Sequence, residues 1–265
     1  MPSMSESEPI YPLPNTSNDL TGQVAMVTGA TSGLGWRFAR VLAAAGARVV
    51  GTGRRRERLD ALVSEIETSG GSAVGVEMDM TETDSILVGL DEAEAAFGTV
   101  TILVNNAGIP DAQRAHKMSI DLIDQVFDTN LRGPYVLSCA VAKRLIDRQQ
   151  PGWQVNISSG SGFNYDGHGA ALYSVTKAGI ARMSEVLAVE WSRHRINVNC
   201  IAPGAFHSEM MDGMLERMGD VTVAMPRKRL GDPAQLDSTL LYLCSPASDA
   251  VTGAIVRVDD GQGPR

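Results

Sequence analysis

The sequence predicts an α/β fold: a doubly wound parallel sheet of about seven strands, layered between helices in a single domain. Three observations carry this. Short β-branched runs alternate with longer helix-patterned stretches from Gln23 to the end, the order in which strands and crossover helices build a parallel sheet covered on both faces. The longer stretches place apolar residues three and four positions apart, the period of a helix with one buried side. The 265 residues, 43% hydrophobic and 20% charged, have an ordinary globular composition with no internal repeat or composition break to mark a second domain.

Taken in order, the strand candidates are 24–28, 47–52, 73–78, 100–105, 154–158, 196–201 and 254–258. Between them lie helix candidates near 34–45, 55–69, 83–97, 119–149, 170–193 and 233–244. Residues 1–20 carry acids and Pro9, Pro12 and Pro14 without a basic region followed by an apolar run, so they read as a flexible arm and not as a signal peptide. The domain is expected over 21–265.

Composition excludes several function classes. A net charge of -8 argues against a general nucleic-acid binder, whose affinity rests on clustered cations. No stretch reaches the roughly 18 apolar residues a membrane helix needs. Cys139, Cys200 and Cys244 are odd in number and set in apolar stretches, which suits buried thiols in a reducing, cytoplasmic setting better than a disulfide framework. The four histidines show no metal-ligand spacing, so no metal is expected.

Ligands of such sheets bind at the carboxyl ends of the strands, near the point where strand order reverses. After the first strand comes Thr28-Gly29-Ala30-Thr31-Ser32-Gly33-Leu34-Gly35, running straight into a helix. Glycines permit a tight turn and the close approach of a pyrophosphate, whose charge meets free N–H groups at the helix start. Further along stand Asn105-Asn106-Ala107-Gly108 after the fourth strand, Thr129-Asn130-Leu131-Arg132-Gly133 on the long fourth helix candidate, and Tyr173-Ser174-Val175-Thr176-Lys177 preceded by Ser158 and Ser159. Pro203-Gly204 follows the sixth strand, and Val258-Asp259-Asp260-Gly261 lies near the end.

The Gly-x-x-x-Gly-x-Gly spacing after a threonine resembles the short-chain dehydrogenase/reductase family, and the other motifs fall in that family's order over residues 20 to about 262. The resemblance implies a Rossmann-type fold and an NAD(P)-dependent oxidoreductase acting on CH-OH or C=O groups. It also implies cofactor contacts from Gly29, Thr31, Ser32, Gly33, Leu34, Gly35, Asp79, Met80, Asn106, Ala107, Gly108, Tyr173, Lys177, Pro203, Gly204, Phe206 and Ser208, and a homotetramer. Ser208 stands where the family usually has a threonine at the nicotinamide carboxamide; a helix cap is its other reading. Asp79 lies beside the adenine in the family, and could instead cap the helix that starts near Glu82.

The choice of nicotinamide cofactor is read at the end of the second strand. An acid there would bond the ribose 2′-hydroxyl and repel a 2′-phosphate. Gly53 holds that place and Arg54, Arg55 and Arg56 follow. NADP is favoured, with Arg54 as its ligand; NAD stays open, because the arginines could simply begin a solvated helix.

Reducing a ketone takes a hydride on carbon and a proton on oxygen, so a positioned proton donor is needed. Tyr173 is that candidate, with Lys177 one helical turn away expected to favour the phenolate and lower its pKa. By resemblance, a serine polarises the substrate oxygen and Asn130 holds a water linked to the lysine. The family's serine usually lies thirteen residues before the tyrosine, but Gly160 occupies that position; Ser159 aligns best and Ser161 is the alternative. Asn130 has a second reading as a buried asparagine bonding backbone. His168 and His207 are expected at the pocket rim or surface.

Residues 205–228 are expected to form a mobile lid carrying Phe206, Met210, Met211, Met214, Met218 and Met225. Methionine-rich surfaces adapt to irregular apolar shapes, so the substrate is expected to be a bulky hydrophobic alcohol or ketone, with Ser161, Phe163 and Tyr165 adding walls. The alternatives are a 3-oxoacyl-carrier-protein reductase, for which Arg227, Lys228 and Arg229 would form a docking patch, and a non-catalytic NADP(H)-binding sensor.

Overall fold

The computed structural model describes residues 11–263 except Asp166 and His168. Seven parallel strands form one sheet: β1 (Val24–Thr28), β2 (Arg48–Gly53), β3 (Ser72–Glu77), β4 (Ile102–Asn105), β5 (Gly152–Ile157), β6 (Ile196–Pro203) and β7 (Ile255–Val258). Their spatial order is β3-β2-β1-β4-β5-β6-β7, so the strand order reverses between β1 and β4 and opens a crevice there.

Strand alternation feeds two cores. Val24 and Met26 point into one cluster and Ala25 and Val27 into the other, the period of two expected of a pleated strand. Helices α3 (Thr83–Phe97), α5 (Gly133–Asp147) and α6 (Ala171–Trp191) cover the first face with Ile86, Leu90, Leu137, Val141, Ile180 and Leu187. Helices α1 (Gly33–Ala44), α2 (Arg56–Thr68) and α8 (Asp237–Cys244) cover the second with Phe38, Leu42, Leu62, Ile66, Leu240 and Leu243. Each fully buried large side chain contributes about 1.5–3 kcal/mol, and both faces are closed in this way.

Three differences from the sequence reading matter. The single helix expected over 119–149 is two helices, α4 (Ile120–Phe127) and α5, joined by a π-helical turn at Asp128–Arg132. The lid segment contains a helix of its own, α7 (Glu209–Met218), capped by Ser208. The last helix begins with a 3-10 turn, Pro233–Leu236, closed by an Asp232 and Gln235 capping box. The described end of the arm is tied down: Leu20 is buried, its N–H donates to the Ala45 carbonyl at 2.7 Å, and the Ser245 hydroxyl donates to the Ser17 carbonyl at 2.7 Å.

Among the described residues no helix is long and apolar enough to cross a membrane, and no cluster of three or more His, Cys, Asp or Glu is arranged to hold a metal. Cys139, Cys200 and Cys244 are free thiols, the last two buried.

Candidate active site

The ends of β1 and β4 are stitched together at the crevice. The Thr28 hydroxyl accepts from the Asn106 and Ala107 N–H groups, each at 3.0 Å, and the Asn106 amide donates back to the Thr28 and Gly29 carbonyls at 3.0 and 3.3 Å. This holds the glycine turn and the Asn106–Gly108 loop as one floor. Gly35 is required beneath it, because a Cβ there would collide with the Gly29 carbonyl. Helix α1 opens onto the crevice with Ser32 at its N-cap and no side chain capping it, which leaves N–H groups free for an anion.

Above this floor lies a cleft of about 840 Å³. Gly29, Thr31, Ser32, Gly33, Leu34, Arg54, Asp79, Met80, Asn106, Ala107, Gly108, Ser159, Ser161, Tyr165, Tyr173, Lys177, Pro203, Gly204, Phe206, Ser208, Met210, Met211 and Met214 all line it, so most of the expected site residues converge. Gly35 supports the turn from below. Phe163 does not line the cleft: its ring stacks against the Arg257 guanidinium at 4.3 Å and packs on the core, which corrects its expected place as a substrate wall. Met225 is not among the lining residues either, whereas Met218 and Arg217 are. His207 is exposed, and His168 lies outside the described residues.

At the nucleotide end, Gly53 does more than leave room. A Cβ there would press on the Thr31 methyl at 2.7 Å, so any larger residue at 53 requires Thr31 to move. The Arg55 guanidinium donates to the Thr31 hydroxyl at 2.9 Å and to Glu209 at 3.3 Å, and Arg54 pairs loosely with Asp79 at 3.9 Å. Sequence proximity to Gly53 singles out Arg54, yet Arg54 and Arg55 both line the cleft. Asp79 does not cap α3; its carboxylate accepts from the Thr81 N–H and hydroxyl, each at 2.9 Å. Ser208 caps α7, accepting from the Met211 N–H at 3.2 Å, while its face toward the cleft leaves a nicotinamide contact compatible.

Tyr173 and Lys177 sit on α6 with the ammonium 5.5 Å from the phenol ring centroid. The lysine is buried and donates to the Ile157 carbonyl at 2.8 Å. The Ser159 side chain faces the Tyr173 phenol closely enough to favour its charged form and accepts from the Ser161 N–H at 3.2 Å, which fits Ser159 better than Ser161 as the serine beside the tyrosine. The pKa expectation is corrected. Burial raises the Tyr173 phenol above its usual value, with Ser159 opposing and the Asp111 charge adding to the rise. Burial lowers Lys177 to about 8. Desolvation disfavours both charged forms and is the largest cause of each shift.

Asn130 sits in the π turn and is buried. Its amide oxygen accepts from the Ile109 N–H at 2.8 Å, and its nitrogen donates to the Ile109 carbonyl at 2.9 Å and the Thr176 hydroxyl at 3.3 Å. The side chain is therefore a clamp on the loop after Gly108, the backbone-bonding role that was its second reading, and it reaches across from the π turn to a separate loop instead of bonding within its own helix. Sequence reasoning also missed Asp111, whose buried carboxylate accepts from the Leu172 and Tyr173 N–H groups at 2.8 and 3.3 Å. No spacing signal links positions 111 and 173.

Comparison with known proteins agrees with this geometry. The family profile for short chain dehydrogenases matches residues 23–218. The chain is 33% identical to 2-dehydro-3-deoxy-D-gluconate 5-dehydrogenase of Formosa agariphila, over 92% of this chain and 93% of that one. It is 34% identical to the 3-oxoacyl-acyl-carrier-protein reductase of Aquifex aeolicus, over 91% and 98%. Among solved structures, actinorhodin polyketide ketoreductase with NADPH superposes with a TM-score of 0.88 at 31% identity, covering 92% of this chain and 98% of that one. A gluconate 5-dehydrogenase from Burkholderia cenocepacia in complex with NADP and tartrate gives 0.87 at 30% identity, covering 94% and 98%.

Proposed function

The chain belongs to the short chain dehydrogenase family and is an oxidoreductase, and from that premise we propose that it transfers a hydride between NADP(H) and the carbonyl or secondary alcohol of a bulky, largely apolar substrate. The observation that carries the reading is the convergence of Ser159, Tyr173 and Lys177 on the cleft wall, with the Lys177 ammonium 5.5 Å from the phenol ring centroid.

The residues present fit a nicotinamide dinucleotide. The uncapped start of α1 and the glycine turn suit its pyrophosphate, while Arg54, Arg55 and Thr31 provide donors for a 2′-phosphate beside Gly53, which carries no acid to repel it. When bound, the nicotinamide supplies the hydride or takes it up. The chain's own groups handle the proton and the charge. Ser159 and the Tyr173 hydroxyl both reach a substrate carbonyl oxygen, which polarises it and stabilises charge as it develops. Burial keeps Tyr173 protonated, so it is ready to donate to that oxygen in reduction. Lys177, near pKa 8, can return a proton to the phenol near working pH.

The apolar substrate rests on α7. Met210, Met211, Met214 and Met218 fall on one helical face and line the cleft, with Arg217 on the same face available to an acidic terminus. A 3-oxoacyl-carrier-protein substrate is the second reading, favoured by the Aquifex aeolicus relative; against its docking patch, Arg227 and Arg229 are both paired with Asp260, at 3.1 and 2.9 Å. The free thiols suit a cytoplasmic setting, and the homotetramer belongs to the proposal by family resemblance, to be checked by size-exclusion chromatography with light scattering.

The test is a panel of apolar ketones, acyl thioesters and sugar acids assayed with both cofactors, in parallel for the wild type and Tyr173→Phe. Turnover of apolar ketones with NADPH, lowered about 10²–10⁴-fold in the variant with unchanged cofactor binding, is expected. Full turnover by the variant refutes the proton donor, and turnover confined to small sugar acids refutes the substrate class.

A further inference from the structure

Helix α6 lacks a cap of its own. Its N-cap residue is Ala170, which has no side-chain acceptor, although the first-turn N–H groups of any helix need partners. The partner comes from 61 residues away. Asp111, in the loop between β4 and α4, is 3% exposed, and its Oδ2 accepts from the Leu172 N–H at 2.8 Å and the Tyr173 N–H at 3.3 Å. Its Oδ1 accepts from the Ala112 N–H at 2.9 Å, holding Ala112 at φ +51°, a conformation that alanine rarely adopts. Three N–H donors and the positive end of a helix offset the cost of burying a carboxylate.

The loop that carries Asp111 is fixed along its length. Asn130 clamps both backbone groups of Ile109, Gln113 forms a parallel bridge with Ala170, and Arg114 donates to the Gly167 carbonyl at 3.1 Å. Just before Ile109 the same loop forms the cleft floor with Asn106, Ala107 and Gly108. One short segment thus runs from the floor of the nicotinamide site to the backbone of the proton donor. A serine or aspartate at position 170 would cap the helix as well, but would not tie it to that floor.

We propose that Asp111 is a positioning residue for the reaction: through the backbone N–H groups of Leu172 and Tyr173 it sets the phenol in register with the Asn106–Gly108 loop. The role rests on the reading of Tyr173 as proton donor. Proton and hydride must reach adjacent atoms of one carbonyl, and a misplacement of about 1 Å costs on the order of 10²-fold in rate.

The experiment compares Asp111→Ala, Asp111→Asn and Tyr173→Phe in the full chain with NADPH. The readouts are kcat, the solvent deuterium isotope effect on kcat, the dissociation constant of NADPH followed by its fluorescence, and Tm. Asp111→Ala should lower kcat roughly tenfold to a hundredfold and enlarge the isotope effect, while NADPH affinity stays within about threefold. Asp111→Asn keeps one acceptor oxygen and should fall between alanine and wild type. A lower Tm with wild-type kcat and isotope effect, measured where the variant is folded, makes Asp111 a helix cap alone and overturns the proposal. If the alanine variant does not fold, the asparagine variant decides: a several-fold loss of kcat with a larger isotope effect supports the role, and wild-type values of both overturn it. A wild-type Asp111→Ala beside an inactive Tyr173→Phe overturns the positioning role alone. An active Tyr173→Phe overturns the proton-donor reading and this proposal with it.

Discussion

The two ends of the cleft are built differently. The nucleotide end is made of backbone: the glycine turn, the start of α1 and the Asn106–Gly108 loop, locked by Thr28 and Asn106 across two strand ends. The end proposed for the substrate is made of side chains on α7, a ten-residue helix with no buried residue. Backbone sites are held by the whole sheet and admit few substitutions, whereas an exposed helix resting on methionines can change its surface at little cost to the fold. Between them stands α6, where buried Lys177 and half-buried Tyr173 belong to the core and to the chemistry at once.

That contrast can be broken at α6 first. Burial holds Lys177 near pKa 8 against an ordinary 10.5, so the folded state disfavours the charged lysine. The cost is fully present below about pH 8, where the lysine is charged in both states, and is relieved as pH rises from 8 to 10.5. Lys177→Met removes it and should raise unfolding stability at pH 7 by up to about 3 kcal/mol, with the gain vanishing toward pH 10.5, while turnover collapses. Urea melts at several pH values check this; a variant less stable than wild type at every pH contradicts it.

At the nucleotide end, Gly35→Ala forces a Cβ onto the Gly29 carbonyl. Overpacking of this kind costs about 1–3 kcal/mol, and stability and NADPH affinity should fall together, as seen by denaturant melt and fluorescence titration. Arg54→Glu leaves the backbone intact and reverses one charge beside the proposed 2′-phosphate. Its KM for NADP should rise about tenfold to a hundredfold and that for NAD much less; equal changes would count against NADP. The smallest effect belongs to the lid. Met214→Ala should raise KM for bulky apolar ketones roughly fivefold, as expected for about 1 kcal/mol of lost apolar contact, and shift stability by less than about 0.5 kcal/mol. A large loss of stability there would erase the contrast between the two ends.

Local chemistry wrote most of this into the chain. Strand and helix periodicity named all seven strands, because each is a short β-branched run between helix-patterned stretches, and β1 falls at 24–28 as expected. The glycine turn and the Tyr173–Lys177 spacing were legible because their geometry is set within a few residues. Helix α7 was not read as a helix: with no buried residue, it carries no core-facing stripe of the ordinary kind, and its methionines face the cleft.

The sequence by itself determined the parallel sheet, the phosphate turn and the pairing of tyrosine with lysine, since each depends on neighbours in the chain. Tertiary structure decided what depends on distant partners. It chose Ile109 as the backbone partner of Asn130, sent Phe163 to Arg257 and brought Arg55 to Thr31 and Glu209. It also set the proton balance at Tyr173 and Lys177, because burial, the largest cause of both shifts, is a property of the packed fold and not of the spacing.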